Sequence, residues 1–317
     1  MTPDELAPAQ RPTIYFIGVT TGRSSIMRVF PRWAAHLGLG DCAIAGIDLP
    51  PHAPPTAYRE VVTFLKEDPL TQGALVTTHK IDLFNACRDL FDDIDPYARL
   101  MNEVSSISKQ GPRLVCHAKD PISSGLALKA FLPRGHFAAT RAEVLSLGAG
   151  GSTLAILSYL LKPEHGDDQP SRIVVTNRSR PRLEGVRRLA DALGSEVPVT
   201  CVHAPTPADN DVEAARLPPG SLVINATGLG KDAPGSPFTD AVRLPRRAIV
   251  WDLNYRGELV FLEQARARQA ASELQIEDGW VYFIHGWTQV LGEVFHRAIP
   301  TEGPGFEALS RIAADCR

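Results

Sequence analysis

Apolar residues come in two spacings along this chain. Short continuous runs alternate with stretches whose apolar residues recur every three or four positions. Residues 13–18 (Thr-Ile-Tyr-Phe-Ile-Gly) form a run rich in aromatic and β-branched side chains, which predicts a strand. A small polar loop, residues 19–25, follows it. Ile26, Val29, Phe30, Trp33, Ala34 and Leu37 then fall on one face of a helix. Residues 42–49 predict a second strand, closed by Pro50 and Pro51; residues 58–67 a helix; residues 73–77 a third strand ending at Thr78-His79-Lys80; and residues 81–90 another helix. This βαβαβα order implies a mostly parallel sheet with helices on its faces. Ligands of such sheets sit beyond the carboxyl ends of the strands. Ser24, Ser25, Thr77 and Lys80 fall at such ends.

Two short strands, 104–107 and 113–116, flank the turn Gln110-Gly111-Pro112 and lead to His117-Ala-Lys-Asp120. Residues 123–132 predict a helix crossing to a second domain. Its expected strands are 144–147, 173–177, 200–203, 222–226 and 248–252, each bracketed by glycine, proline or small residues. The last helices, near 283–298 and 306–315, are expected to pack back on the first domain. The expected division is therefore 1–130 with 284–317, and 131–283.

The second domain opens on an apolar run that ends in Gly148, Ala149, Gly150, Gly151 and Ser152, followed by helical spacing. Glycines here permit a tight turn and a close approach of backbone to ligand. Strand, glycine turn and helix together aim free N–H groups at a pyrophosphate. Thr153 stands where the strict G-x-G-x-x-G has its last glycine, and Ala155 is the candidate for close packing. The next strand ends at Asn177, followed by Arg178, Ser179, Arg180 and Arg182. An acidic residue there would accept from the ribose 2′-hydroxyl of NAD. Guanidinium and hydroxyl donors suit a 2′-phosphate instead, which points to NADP.

Length and composition add bounds. A chain of 317 residues suggests two domains, and 44% hydrophobic with 22% charged residues is ordinary for a globular protein. The net charge of −3 argues against a nucleic-acid-binding surface. No apolar run approaches a membrane span of roughly 20 residues, and the polar, Pro-rich start carries no secretory pattern. Five dispersed cysteines without C-x-x-C fit a reduced, cytoplasmic compartment. Nine scattered histidines without ligand spacing predict no metal site.

Hydride transfer from an alcohol needs a group that takes the hydroxyl proton. A lysine serves if burial or a neighbouring charge adjusts its pKa, and a carboxylate beside it holds it in place. Lys80 and Asp120 are the candidates. Their spacing alone equally fits a surface lysine and a capping aspartate before Pro121.

Taken in order, the pieces resemble a known family. A serine-bearing loop follows the first strand, and Val76-Thr-Thr-His-Lys80 the third. Asp120, Gly148-Ala-Gly-Gly151, Asn177-Arg-Ser179 with Arg182, Asn225-Ala-Thr-Gly-Leu-Gly230, Asp252-Leu-Asn-Tyr255 and a late Gln289 come next. This series is similar to the shikimate/quinate dehydrogenase family from residue 18 to about residue 295. The resemblance implies an N-terminal α/β substrate domain and a Rossmann-type NADP-binding domain. It implies Lys80 and Asp120 as the catalytic acid–base pair. Ser24, Ser25, Thr77, Tyr255 and Gln289 would lie around the substrate, and Thr227, Gly228 and Leu229 along the cofactor. It implies a small hydroxy acid as substrate and a monomer or homodimer.

The first domain departs from the family's strings. The second serine of the family's S-x-S falls on Ile26 unless Ser25 substitutes, and asparagine positions fall on Ala74 or Leu75 and on Ala118. Gly279 to Gln289 exceeds the family spacing. Arg23 and Lys119 are candidate anion binders, and His285 and Trp287 packing residues. Two alternatives stay open. One is the same fold with another substrate, or NAD; the other is a nucleotide-binding regulatory protein without catalysis.

Overall fold

The computed structural model describes every residue except Asp232, and its chain divides into two compact units. The first comprises Met1–Asp120 and Ile284–Arg317, the second Pro121–Phe283.

The first unit opens with β1 (Thr13–Gly18), α1 (Ile26–Leu37), β2 (Ala43–Asp48), α2 (Pro55–Glu67), β3 (Thr71–Val76) and α3 (Lys80–Cys87). It continues with β4 (Asp93–Ile94), α4 (Pro96–Met101), β5 (Ser106–Gln110) and β6 (Arg113–His117). The apolar stripe of α1 is buried from Ile26 through Val29, Phe30 and Trp33 to Ala34, and Gly38 ends the helix at φ 63°. The sheet order is β2-β1-β3-β5-β6-β4. All six residues of β1 are buried, as expected of a strand covered on both faces.

The sheet is mostly parallel, but β5 runs antiparallel to both its neighbours. The cause is local. Gln110 pairs with Arg113 across Gly111 and Pro112, with Gly111 at φ 62°, and a connection so short can only reverse the chain. The start of β5 therefore lies at the same sheet edge as the carboxyl ends of β1, β3 and β6. The two-residue β4 was not expected from the apolar pattern.

α5 (Asp120–Phe131) begins on the last residue of this segment and runs into the second unit. There follow α6 (His136–Thr140), β7 (Val144–Leu147), α7 (Gly151–Leu160), β8 (Ile173–Asn177), α8 (Arg180–Leu193) and β9 (Val199–His203). The unit is completed by α9 (Pro207–Ala214), β10 (Leu222–Asn225), β11 (Ile249–Asp252), α10 (Val260–Arg266), α11 (Gln269–Ser272) and β12 (Gln275–Glu277). The strands are all parallel in the order β9-β8-β7-β10-β11-β12. Counted from β7 this is the doubly wound dinucleotide order, whose direction reverses between β7 and β10. One face is packed by Leu145, Leu147, Val174, Val223, Val250, Phe261 and Leu262. β12 lies one strand beyond those expected.

The chain ends in α12 (Trp280–Val294), most of it in the first unit, and α13 (Gly303–Ala314). α13 docks on α1, where Trp33 Nε1 donates to the Leu309 carbonyl at 2.9 Å. Among the described residues no helix is long and apolar enough to cross a membrane.

Candidate active site

Three connections meet at the carboxyl edge of the first sheet. After β1, the backbone N–H and the hydroxyl of Thr21 both donate to Asp48 Oδ1 at 2.7 Å. This clamps residues 21–25 against β2, and Gly46 permits it, because a Cβ there would lie 2.0 Å from the Thr21 hydroxyl. Ser24 and Ser25 are buried on this loop, and their hydroxyls make no hydrogen bond among the described residues. Arg23 beside them is exposed.

After β3, Thr77 N donates to the Ile17 carbonyl at 2.9 Å. Thr78 then takes φ 58°, a strained conformation for a β-branched residue. His79 is buried with Nδ1 3.1 Å from the Tyr58 hydroxyl, and burial lowers its pKa. Lys80 is the first residue of α3, with its side chain 18% exposed, and its ammonium donates to the Asp120 carboxylate. Asp120 opens α5, where a negative charge suits the helix dipole. Burial alone would lower the Lys80 pKa. The charges of Asp120 and Glu103 outweigh it, so the pKa is raised and the group stays cationic.

After β6, Lys119 Nζ donates to Glu293 Oε1 of α12. His117 lies 2.9 Å from the Ser108 hydroxyl and 3.5 Å from Asp95 Oδ2. Burial would raise the pKa of Asp95 and of Glu293, but hydrogen bonds from His117 and Lys119 bring each below its ordinary value. Lys119 is thus engaged by a carboxylate of its own chain. Gln289 stands one helical turn before Glu293 on α12.

In the second unit, the loop after β7 carries the glycines. Gly148 has φ 110°, and a Cβ on it would sit 2.6 Å from the Ala226 carbonyl oxygen, so only glycine lets the loops after β7 and β10 touch. A Cβ on Gly150 would meet nothing within 4 Å, which leaves its backbone side open to a ligand. Gly151, Ser152 and Thr153 open α7, where N–H groups have no intrahelical acceptor. Thr153 acts as a brace: its hydroxyl donates to the Gly148 carbonyl at 2.9 Å and lies 3.2 Å from Ser146 Oγ. Ala155 is fully buried, the small residue that close helix packing needs.

At the end of β8, Asn177 Oδ1 accepts from Ser179 N at 2.7 Å and shapes the turn. Arg178, Arg180 and Arg182 are exposed, and none pairs with a carboxylate among the described residues. After β10, Thr227 donates through N and Oγ1 to Asn225 Oδ1 at 3.1 and 2.7 Å, and Leu229 N donates to Thr227 Oγ1 at 3.1 Å. Beneath this loop Asp252 is fully buried. Its Oδ1 accepts from Asn225 Nδ2 at 3.1 Å and Asn254 N at 2.9 Å, while Oδ2 has no hydrogen-bond partner among the described residues. Burial pushes Asp252 up to about 7, against those two hydrogen bonds. Gly228 holds φ 77° in the same loop. An open glycine turn, a helix N-terminus, uncommitted guanidiniums and no carboxylate at the tip of β8 form a donor set that fits a dinucleotide bearing an extra phosphate.

Comparison with known proteins places the whole chain. A shikimate dehydrogenase (NADP(+)) of Symbiobacterium thermophilum is 31% identical over 216 residues, which are 67% of this chain and 68% of that one. The chain belongs to the shikimate dehydrogenase family. A shikimate dehydrogenase (NADP(+)) of Methylobacterium radiotolerans is 28% identical over 300 residues, 94% of this chain and 90% of that one. A Caulobacter vibrioides shikimate dehydrogenase (NADP(+)) is 30% identical over 163 residues, 50% of this chain and 52% of its own length. No family model matches the chain. Among solved structures, the shikimate dehydrogenase of Aquifex aeolicus superposes with a TM-score of 0.70 at 17% identity, covering 98% of this chain and 99% of that one. The quinate dehydrogenase of Corynebacterium glutamicum gives 0.71 at 19% identity, covering 96% and 99%.

Several first-unit positions that the resemblance would make polar are apolar. Ile26, Ala74 and Ala118 are fully buried and carry no donor. Tyr255 packs in an aromatic trio, 5.1 Å from the Trp280 ring and 4.8 Å from the Phe283 ring. His285 stacks on Phe306 at 4.3 Å, and Trp287 meets the Phe16 ring edge-on at 5.2 Å. Burial pushes His285 down to about 4. Three buried carboxyls escaped the reading of the sequence, Asp68, Glu103 and Asp252. No signal in the sequence marks Glu103, since the segment after it, Val104-Ser-Ser-Ile107, is half polar. Asp252 stands out in the sequence only as part of the Asp252-Leu-Asn-Tyr255 string.

Proposed function

We propose that this chain is an NADP-dependent oxidoreductase that interconverts a secondary alcohol and its ketone on a small hydroxy acid of the shikimate or quinate type. The direct ion pair between Lys80 and Asp120 carries the proposal. The pair lies at the strand ends, a few residues from Thr77 and at the same edge as Ser24 and Ser25, which supports a role in proton exchange.

In this reading the second unit holds NADP. The loop of Gly148, Ala149, Gly150, Gly151 and Ser152 takes the pyrophosphate; Asn177, Arg178, Ser179 and Arg182 take the adenosine 2′-phosphate; and Thr227, Gly228 and Leu229 line the nicotinamide half. When bound, that cofactor takes up or delivers the hydride. As the ketone is reduced, the Lys80 ammonium gives its proton to the forming alkoxide. As the alcohol is oxidised, Lys80 accepts the hydroxyl proton only after releasing its own to solvent, since the pair with Asp120 keeps it cationic at rest. Asp120 keeps the Lys80 side chain in place and holds it in reach of the substrate oxygen. The Ser24 and Ser25 hydroxyls, with Thr77 and Gln289, are the polar groups of the first unit that orient the substrate.

The apolar Ile26, Ala74 and Ala118 favour a narrower version, in which the substrate differs from shikimate in its polar groups. Each hydrogen bond that shikimate would lose costs on the order of 1–3 kcal/mol. Steady-state rates with shikimate, quinate and related hydroxy acids, each with NADP and NAD, test both statements. The expected result is NADP-dependent turnover with at least one member, and shikimate not the best. Tight NADPH binding without turnover across the panel would instead make this a nucleotide-binding regulatory protein.

A further inference from the structure

The acid–base site has a third ionisable member that neither sequence spacing nor the assigned roles account for. α4 ends at Met101; Asn102, at φ 52°, closes it, and Glu103 N donates back to the Ala98 carbonyl at 3.3 Å. The next residues are pinned on both sides. Val104 N donates to the Lys80 carbonyl at 3.1 Å, and the Ser105 hydroxyl accepts from Lys119 N at 2.7 Å. Ser105 N donates to the His117 carbonyl at 2.9 Å, and Val76 N to the Ser105 carbonyl at 2.9 Å. Residues 103–105 are therefore stitched between the backbone of Lys80 and that of the residue preceding Asp120. Glu103 is fully buried there, and neither of its carboxylate oxygens receives a hydrogen bond among the described residues.

A bare carboxylate in such a place costs several kcal/mol. It has two remedies: to keep its proton, or to draw on a nearby cation. The ionisable groups that face it are Lys80 on α3, Asp120 on α5 and Cys116 on β6. Burial pushes the Cys116 thiol up, so it stays neutral, and the balance lies among the other three.

We propose that Glu103 is a positioning residue of the acid–base site, a buried carboxyl that binds the Lys80 proton more tightly than Asp120 alone would. The charge count gives the sense. Ammonium against the Asp120 carboxylate is neutral while Glu103 keeps its proton. Once Glu103 ionises, the cluster carries an excess negative charge, and removing the Lys80 proton would add another in a buried place. Lys80 therefore gives up its proton readily only while Glu103 holds its own. The perturbed titrations agree: burial pushes Glu103 up to about 7 although Lys80 opposes it, and Lys80 itself is held above its ordinary value.

The catalytic consequence rests on the function proposed above, and the test separates the two. In full-length protein labelled with ¹⁵N-lysine, the Lys80 Nζ resonance is assigned by its loss in Lys80→Met and titrated with pH. Glu103→Gln should lower its titration by on the order of one pH unit or more. Glu103→Asp should restore a value near wild type. Glu103→Ala removes the carboxyl without leaving a buried amide and serves if the glutamine variant folds poorly. An unchanged Lys80 titration in Gln and Ala variants would overturn the proposal. The pH limb of kcat for alcohol oxidation should move with the resonance. A moved resonance with an unmoved limb would uphold the coupling and remove Lys80 from the chemistry.

Discussion

In the function proposed above, the two units recognise their ligands by different means. The second relies on backbone: a glycine turn, the N-terminus of α7, and a loop braced by Asn225 and Asp252 from beneath. The first relies on side chains brought from separate connections, with Lys80, Asp120, Glu103 and the Lys119–Glu293 pair arriving on different elements. Backbone recognition fails only if the local fold fails, so its residue types are constrained together. Side-chain recognition changes one residue at a time without disturbing the sheet. The resemblance read from the sequence is accordingly denser in the second unit, while in the first Ile26, Ala74 or Leu75, and Ala118 stand where it would call for polar side chains.

The sharpest test of this contrast within the second unit is Arg178→Ala. Charge-assisted hydrogen bonds to a phosphate contribute about 1.5–3 kcal/mol, so NADPH affinity should fall about tenfold or more while NADH affinity stays near wild type. Titration of both cofactors checks this. Equal losses for both would mean that the loop after β8 does not read a phosphate, and that side chains matter no more there than backbone.

A smaller effect is expected of Asp252→Asn. Asp252 titrates at about 7 in the folded chain against an ordinary 3.8, so the folded state keeps a proton that the unfolded chain loses. Its contribution to stability is fully present below about pH 4 and is lost as pH rises through 7. Asparagine keeps the acceptor for Asn225 and Asn254 and abolishes the titration. The variant should therefore gain on wild type by on the order of 1 kcal/mol or more between pH 4 and pH 7, followed by denaturant melts. Comparing the two proteins cancels Glu103, which acts in the same sense, and His285, whose depressed pKa acts in the opposite one. A difference independent of pH would show that Asp252 is ionised throughout.

Much of the second unit was legible in the sequence, because its determinants are contiguous. Gly148 to Ser152, Asn177 to Arg182 and Asn225 to Gly230 each lie within a few residues, and the strand runs before them are buried on both faces. Less of the first unit was legible. The reversed β5 depends on a two-residue turn that the strand pattern alone does not orient. Lys119, a candidate anion binder in the sequence, pairs with Glu293, which lies far along the chain. Glu103 looks like any solvated glutamate in the sequence. Its burial is decided by the backbone contacts to Lys80 and Lys119 on either side of it. The packing of Trp287 and His285 was readable from their apolar setting, but their partners Phe16 and Phe306 were not.

The account turns on whether Lys80 moves the proton. Lys80→Met should lower kcat about a hundredfold to ten-thousandfold, while calorimetric titration gives an NADPH Kd near that of wild type. Turnover that survives the substitution unchanged would contradict the account.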